Sequence, residues 1–371
     1  MRRALSRRAF VAAGATGLAG AGLAAHAIPN LPERPKPAPE SRNQREGMRY
    51  RLLGRTNLLV SVLSHGGEQL RADVFSAALD RGVNLLHIAQ EYAGSFDEAA
   101  KVLPQRRGEL FLAIKHVTPV DQFKGWLSRL KTDHADLVFH PTDRPDDARD
   151  QTGAIRERFL ALRDAGLVRF LGITCHSNVA AVGRAAVEAG HWDAIMPQFG
   201  PGLRAEVGPV VDDAHEREMG VLGMKALANT TGDARKTAFQ TALERRGLTS
   251  VLKGLPDFEL LDMLVRAVGE QPDAEQQAAL WRHVLAQRSE TCWMCSRCAA
   301  CPQGIAVEES LKCLLYYDRQ LGHASYARQV YAALPRERTV AACVGCGTCE
   351  RLCPNGLPVR DLLREADRVL S

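Results

Sequence analysis

The sequence lacks the features that mark a membrane-spanning protein or a nucleic-acid-binding protein. Beyond the N-terminal segment, no apolar run is long enough and free enough of charge and glycine to predict a transmembrane helix. The formal net charge of +5 is small for 371 residues, and much of it lies at the N-terminus. The composition therefore gives no case for a nucleic-acid-binding surface.

Cysteine is nearly absent from the first 291 residues, which contain only Cys175. The other nine cysteines lie in the last 80 residues, and eight of them form two runs that each end in Cys-Pro. The runs are Cys292, Cys295, Cys298 and Cys301, then Cys343, Cys346, Cys349 and Cys353. The second run has the C-x2-C-x2-C-x3-C-P spacing with which bacterial ferredoxins hold [4Fe–4S] clusters. The pattern predicts two clusters; one cluster with a degenerate site, a zinc site and disulfides remain as alternatives.

The fourth cysteine of such a run commonly binds the other cluster of a pair. We therefore predict that Cys353 completes the cluster begun by the first three cysteines of the upstream run. Cys301 would then complete the cluster begun by the first three cysteines of the downstream run. Cys175 and Cys313 lie outside both runs, and we predict that their thiols are structural.

The N-terminus resembles an export signal. Residues 6–11 (SRRAFV) resemble the twin-arginine motif, a weakly hydrophobic run follows over 11–25, and residues 25–27 (AHA) form a cleavage site. We predict a twin-arginine signal over residues 1–27 and a proline-rich linker over 28–47, which places the mature protein in the periplasm or another extracytoplasmic compartment. That route carries folded proteins, so clusters could be inserted before export.

Residues 48–269 alternate short apolar runs with helical patterns, which predicts parallel strands joined by helices. Eight such runs in about 220 residues fit a (β/α)8 barrel. A doubly wound sheet is the alternative, but no G-x-G-x-x-G follows the first strand. The predicted strands cover residues 60–64, 85–89, 110–115, 136–140, 168–173, 194–198, 220–225 and 249–254.

Polar residues recur where these strands end, and barrel active sites lie at that end. They are His65, His87, Lys115, His140, His176, Gln198 and Lys225. Their recurrence predicts a lined pocket, although His65 taken alone is better explained as a structural histidine. Residues 270–371 follow as a small helical iron–sulfur domain, in which we predict that the tyrosines of segment 306–334 are core residues.

Five segments of the barrel resemble the aldo-keto reductases. They are residues 48–61 (MRYRLLGRTNLLVS), 82–92 (GVNLLHIAQEY), 113–115 (AIK), 136–140 (DLVFH) and 166–174 (GLVRFLGIT). The iron–sulfur tail and His176 resemble a sub-branch of that family in which the barrel is fused to such motifs. The resemblance implies carbonyl reduction with Tyr92 as proton donor. Lys115 would lower the pKa of Tyr92, and His140 would orient the substrate oxygen.

The resemblance also implies a nicotinamide cofactor, NADP(H), which would deliver a hydride to the substrate. Its contacts would fall on Thr174, His176, Gln198, Lys225 and Gly254. However, His87 stands where the family has the aspartate that pairs with the lysine, and we expect no anion beside Lys115. Residues 174–176 read Thr-Cys-His rather than the usual Ser-Asn, and the late adenosine-phosphate motif is weak.

Two functions follow from these observations. The first is an iron–sulfur oxidoreductase acting on a carbonyl or alcohol compound, with a redox protein as a further partner. The second is an electron-transfer or partner-binding protein whose barrel has lost catalysis. Hydride transfer moves two electrons whereas each cluster moves one, and we find no flavin signature that would connect them.

Overall fold

The computed structural model describes residues 38–92, 94–150, 152–319 and 324–371. The predicted signal over residues 1–27, and the linker up to residue 37, lie outside the described residues. From Ala38 onward the chain forms one compact unit, in which the tail packs against the barrel. No helix within the described ranges combines the length and apolarity needed to cross a bilayer.

A small three-stranded sheet precedes the barrel. Its strands are β1 Glu40–Ser41, β2 Tyr50–Leu52 and β3 Leu58–Ser61, with β3 between the other two. Arg42 donates to Leu110 O at 2.6 Å and lies 3.1 Å from the buried carboxylate of Asp136. Residues 40–47, predicted as linker, are therefore attached to the barrel.

Eight parallel strands then form a closed barrel, as predicted. They are β4 Leu63–Gly66, β5 Leu85–Ile88, β6 Phe111–Lys115, β7 Leu137–Pro141, β8 Phe170–Cys175, β9 Ala194–Pro197, β10 Gly220–Met224 and β11 Ser250–Gly254. Each strand pairs with the next along the chain, and β11 closes the ring against β4. The carboxyl ends of all eight strands therefore meet at one mouth.

The prediction that the first barrel strand covers residues 60–64 was wrong in its register. Leu58 and Val60 belong to β3 and fill the barrel interior, together with Phe111 and Phe139. The chain then turns, with Ser61 Oγ donating to Leu63 O at 2.6 Å, and the barrel strand begins at Leu63. Adjacent residues of one segment thus form both β3, which closes the barrel interior as a plug, and the first barrel strand, β4.

Helices surround the barrel and bury their apolar faces against the outward residues of the strands. The barrel helices are α1 Ala72–Asp80, α2 Ser95–Arg106, α3 Val120–Leu130, α4 Pro145–Arg149, α5 Ala154–Asp164, α6 Val179–Ala189, α7 Arg204–Glu216, α8 Gly232–Leu243 and α9 Phe258–Ala267. The predicted helical segments 71–81, 155–165 and 180–189 correspond to α1, α5 and α6.

The tail is helical, as expected from its sequence. It contains α10 Ala274–Ala286, α11 Val307–Arg319, α12 Ala324–Ala332, α13 Thr348–Leu352 and α14 Val359–Leu370. Cys313 is fully buried in a cluster with Ala327, Tyr331 and Leu370, and Cys175 is fully buried in the barrel core. Both thiols are buried, as the prediction of two structural cysteines requires.

Candidate active site and iron–sulfur segment

A cavity of about 680 Å³ opens at the mouth of the barrel. Its barrel side includes every predicted catalytic and cofactor residue except His140: His87, Tyr92, Lys115, Thr174, His176, Gln198, Lys225 and Gly254. The tail provides the facing wall, which includes Cys292, Trp293, Met294, Leu315, Tyr316 and Tyr326. Tyr316 and Tyr326 are therefore more than the core residues that their helical spacing predicted.

Strand alternation explains which side chains reach the cavity, because successive residues of a strand point to opposite faces. In β5 and β6, Leu85 and Ala113 pack in the barrel interior, so His87 and Lys115 also point inward. In β7, Phe139 points inward, and His140 points outward with Val138. His140 therefore does not line the cavity, contrary to the role expected from the resemblance.

Lys115 has a carboxylate partner that sequence reasoning missed. Its Nζ lies 2.7 Å from Glu91 Oε1, and the same oxygen lies 3.1 Å from His116 Nε2. Burial opposes ionisation of Glu91, but the hydrogen bond from His116 and the charge of Lys115 hold its pKa below the usual value. The expectation of no anion beside Lys115 was wrong, since Glu91 takes the place of the missing aspartate.

His87 is a neutral residue in an apolar setting. Burial, and then the charge of Lys115, lower its pKa to about 3. Its ring makes edge contacts with Phe139 and Tyr92, at 6.0 and 6.4 Å between centroids. Its Nε2 atom is buried without a hydrogen-bond partner among the described residues. His87 therefore does not repel Lys115 with a charge of its own.

Tyr92 remains protonated in this site. Burial, followed by the charges of Glu91 and Glu68, raises the pKa of Tyr92 well above its ordinary value. The expected lowering by Lys115 is not seen, since the Lys115 ammonium is paired with Glu91. A neutral phenol can donate a proton to a substrate oxygen, and it is not poised to act as a phenolate.

Three of the residues expected to contact a nicotinamide form hydrogen bonds within the chain. Gln198 Nε2 donates to the carbonyl oxygen of His176. The His176 Nδ1 atom lies 3.2 Å from the Tyr316 hydroxyl of the tail, and Thr174 Oγ1 donates to Met196 O at 3.0 Å. Gly254 faces Glu68, whose carbonyl oxygen lies 2.9 Å from the place of an added Cβ. Three of the five expected contact residues, Thr174, His176 and Gln198, therefore do not fit a nicotinamide, because these polar atoms already have partners. Lys225 differs from them, since its Nζ atom has no hydrogen-bond partner among the described residues.

The tail is held against the barrel by a buried ionic contact. Lys312 Nζ of α11 lies 2.7 Å from Asp143 Oδ2, in the loop after β7. Asp143 Oδ1 accepts the backbone N–H groups of His176 at 2.7 Å and Ser177 at 2.9 Å. Burial opposes ionisation of Asp143, but Lys312 and these N–H groups lower its pKa. One carboxylate thus connects the tail to the backbone at the mouth of the barrel.

Four cysteines surround a second, much smaller cavity of about 20 Å³. They are Cys292, Cys295, Cys298 and Cys353. This is the set predicted for the first cluster, with Cys353 joining the upstream run. Burial, followed by the charge of Glu308 and then the Cys295 and Cys353 thiols, raises the pKa of the Cys292 thiol to about 12. Ligation by iron would take up these thiols as thiolates.

Three of the four remaining cysteines of the two runs lie at one apolar cluster of the tail, whereas Cys346 is exposed. Cys301 and Cys343 pack against the cluster of buried residues that contains Ile305, Val307 and Leu311, and Cys349 is a buried member of it. Burial is the main cause of the raised pKa of Cys349, and the Cys301 thiol adds to it. Cys301 is therefore near the downstream run, as its predicted exchange requires.

The thiol geometry bears on which metal the segment holds. Within the described ranges, no three His, Cys, Asp or Glu side chains converge closely enough to hold a single metal ion. A zinc ion needs four ligand atoms within about 2.3 Å of one centre. A [4Fe–4S] cluster is bonded by thiolates on four different iron atoms, which stand further apart. The donor set of four cysteines in an apolar shell fits such a cluster.

Comparison with known protein families identifies the tail. Residues 291–358 match the 4Fe-4S dicluster domain. This segment contains all eight cysteines of the two runs and α11 to α13. The C-terminal segment is thus similar to domains that hold two [4Fe–4S] clusters. The search of curated proteins gave no match.

Solved structures match the barrel and show its fold. One is described as a candidate aldo-keto reductase from Pseudomonas aeruginosa, with 24% identity and a TM-score of 0.52 over 59% of this chain and 94% of that one. Another is the holo form of an aldo-keto reductase from Bacillus halodurans, with 20% identity and a TM-score of 0.53 over 64% and 96% of the two chains. The barrel therefore has the fold of the aldo-keto reductases.

The dicluster segment and the barrel share a wall. Cys292 and Trp293 line both the large cavity and the small cysteine-lined cavity. Gly202 faces the Trp293 ring so closely that an added Cβ would lie 2.4 Å from it. A cluster held by Cys292 would therefore lie directly behind the wall of the barrel cavity.

Proposed function

We propose that this protein is an iron–sulfur oxidoreductase that interconverts a small carbonyl compound and its alcohol in the barrel cavity. One observation supports this above the others. Cys292 and Trp293 line both the cavity that contains Tyr92 and Lys115 and the cavity formed by four cysteines. The barrel cavity, where the substrate would react, and the cysteine site, where a cluster would supply electrons, are then separated by these two residues.

We infer that Tyr92 donates the proton that the carbonyl oxygen requires. Its pKa is raised, so the phenol is protonated at neutral pH, and it lines the cavity. Lys115, fixed by Glu91 at 2.7 Å, lines the same cavity, and its ammonium N–H groups can donate a hydrogen bond to the substrate oxygen. His140 has no contact with substrate in this proposal, because it points away from the cavity.

The electron balance also favours two clusters. Conversion of a carbonyl to an alcohol consumes two electrons and two protons. Each bound [4Fe–4S] cluster would supply one electron, Tyr92 would supply the proton on oxygen, and water in the cavity would supply the proton on carbon. We propose that Cys292, Cys295, Cys298 and Cys353 hold one cluster, and Cys301, Cys343, Cys346 and Cys349 the other. A redox protein would reload them, and the N-terminal motif supports export of the folded protein. We propose no nicotinamide step, since Thr174, His176 and Gln198, three of the residues expected to bind that cofactor, form hydrogen bonds within the chain.

The test is anaerobic turnover of the full chain with reduced methyl viologen as electron donor and a panel of aldehydes and ketones. Tyr92→Phe should abolish turnover and leave the iron and sulfide content unchanged. The matched control is Tyr317→Phe, a tail tyrosine outside the cavity lining, which should behave as wild type. Full turnover by Tyr92→Phe would overturn the assignment of the proton donor.

A second function is favoured by a different observation. A neutral His87 replaces the aspartate of the related reductases, and His140 points away from the cavity. These departures suit an electron-transfer protein whose barrel only binds a partner or a ligand. It would exchange electrons with methyl viologen and turn over no carbonyl or alcohol compound. Tight binding of NADPH, measured by titration, would count against this second function and against our rejection of a nicotinamide.

A further inference from the structure

The cavity at the barrel mouth contains more positive than negative charge. Its lining includes four cationic side chains and two carboxylates: Lys115, Lys225, Lys253 and Arg235, with Glu68 and Glu91. Lys115 and Glu91 neutralise each other as an ion pair at 2.7 Å. The two lining histidines do not add to the positive charge, since burial lowers the pKa of both. Three cations then face one carboxylate.

Among these cations, Lys225 is the one whose ammonium group is buried without a hydrogen-bond acceptor. Its Nζ atom is buried and has no hydrogen-bond partner among the described residues. The Tyr316 ring of the tail lies 5.3 Å from that atom. Burial lowers the pKa of Lys225 to about 8, although the charge of Glu68 acts in the opposite direction. A buried ammonium group without a hydrogen-bond acceptor provides a favourable site for an anion.

The backbone holds Lys225 in an unusual conformation. It follows the last residue of β10, Met224, which points into the barrel, and its φ of 55° lies in the left-handed region. A residue other than glycine rarely adopts this conformation, and such residues are concentrated at functional sites. The left-handed turn departs from strand alternation and brings Lys225 to the cavity lining instead of the outer face.

We propose that the cavity binds an anionic substrate, a carbonyl compound that carries a carboxylate, with the carboxylate placed against the Lys225 ammonium. The assignment rests on the proposed function, because it names the substrate class of the same cavity. The carboxylate supplies the missing partner of Lys225, while Tyr92 and the Lys115–Glu91 pair line the same cavity for the carbonyl group. The phosphate groups of a nucleotide offer the same anionic chemistry, and the experiment separates the two sources.

The experiment is calorimetric titration of the anaerobic full chain, without electron donor, with matched ligands. Phenylpyruvate and the neutral 1-phenylbutane-2,3-dione differ in their charged group, and pyruvate, 2-oxoglutarate and NADPH complete the series. We expect at least one 2-oxo acid to bind the wild type, and phenylpyruvate about 10- to 100-fold more tightly than the dione, as for a hydrogen bond to a charged group. Lys225→Met should abolish this preference, and Lys225→Arg should keep most of it.

Lys236→Met is the matched control, since Lys236 pairs with Glu270 outside the cavity lining and should leave the preference unchanged. The proposal is overturned by equal affinity for phenylpyruvate and the dione, by an equal loss of both in Lys225→Met, or by no binding of any 2-oxo acid. Binding that depends on Lys225 for NADPH alone would assign the anion to a nucleotide phosphate and also overturn it. Because no turnover is measured, these outcomes are independent of the Tyr92→Phe result.

Discussion

The ion pair between Glu91 and Lys115 gives the sharpest prediction for the barrel site. The change is Glu91→Gln, which keeps the size of the side chain and removes its charge. The Glu91 and Lys115 side chains are only 14% and 8% exposed, so the variant leaves a buried ammonium without its counter-charge. Removing one partner of a buried pair costs about 3–5 kcal/mol. Because the glutamine oxygen can still accept a hydrogen bond, we expect a loss of about 2–3 kcal/mol.

The sign of the pH dependence follows from the pKa of Glu91. The folded state holds this pKa below the usual value, so the stability contribution is complete above the unfolded pKa of about 4.3. It is lost only as the pH falls through the lower, folded value. The part of the difference between wild type and Glu91→Gln that comes from the Glu91–Lys115 pair should therefore be constant from about pH 6 to 8, while the contact with His116 contributes more at the lower end of this window.

The assay is anaerobic guanidinium unfolding followed by near-ultraviolet circular dichroism, with Lys115→Met and the double variant completing a cycle. We expect a coupling energy of about 2 kcal/mol between the two positions. The matched control is Glu365→Gln, which removes an exposed glutamate paired with Arg368 and should change little. Turnover adds a second measurement: the charge of Glu91 raises the pKa of Tyr92, so the alkaline limb of the pH–rate profile should move to lower pH in Glu91→Gln.

Two results would refute this reasoning. A stability loss for Glu91→Gln no larger than for Glu365→Gln would show that the pair is not a buried counter-charge. An unchanged alkaline limb would show that Glu91 does not control the ionisation of Tyr92.

Two further predictions concern the tail. Lys312→Met leaves Asp143 without its counter-charge, so it should destabilise the docked tail by about 3 kcal/mol and speed proteolysis between α9 and α11; an unchanged digestion rate would refute the docking role. Cys353→Ser should remove about half of the bound iron, since one of two four-iron clusters loses a ligand, whereas Cys313→Ser should keep all of it; equal iron in both variants would contradict the assignment of Cys353.

Much of the architecture could be predicted because it depends on local patterns. Apolar runs of strand length separated by helical segments indicate a parallel sheet, and their number, eight, favours a closed barrel. The cysteine spacing indicates a dicluster segment. The first strand was placed too early because residues 58–63 (LLVSVL) are apolar except for Ser61. Only the turn at Ser61, which depends on tertiary contacts, separates the plug strand β3 from the barrel strand β4.

The site was harder to predict, because it depends on directions and on distant segments. His140 lies near the end of a strand like the other polar residues. Because its neighbour Phe139 points inward, strand alternation indicates that His140 points outward, which would have excluded it from the cavity lining. Glu91 was overlooked because it is an ordinary polar residue in a loop. Its position beside Tyr92, in a motif that lacks the usual aspartate, could have indicated that it pairs with Lys115. The wall formed by Trp293 and Tyr316 could not be inferred, because nothing local indicates that the tail covers the barrel mouth.

The cavity bounded by Cys292 and Cys353 has a consequence for biosynthesis. If one cluster joins these residues, it closes a loop of roughly sixty residues, and the ordering cost of that loop is met by metal–sulfur bonds. Cys353 follows the whole barrel in the sequence, so the cluster can be completed only after the barrel segment has been synthesised. Trp293, adjacent to Cys292, would be ordered at the same step. Cluster assembly would then order the part of the cavity wall formed by Cys292 and Trp293.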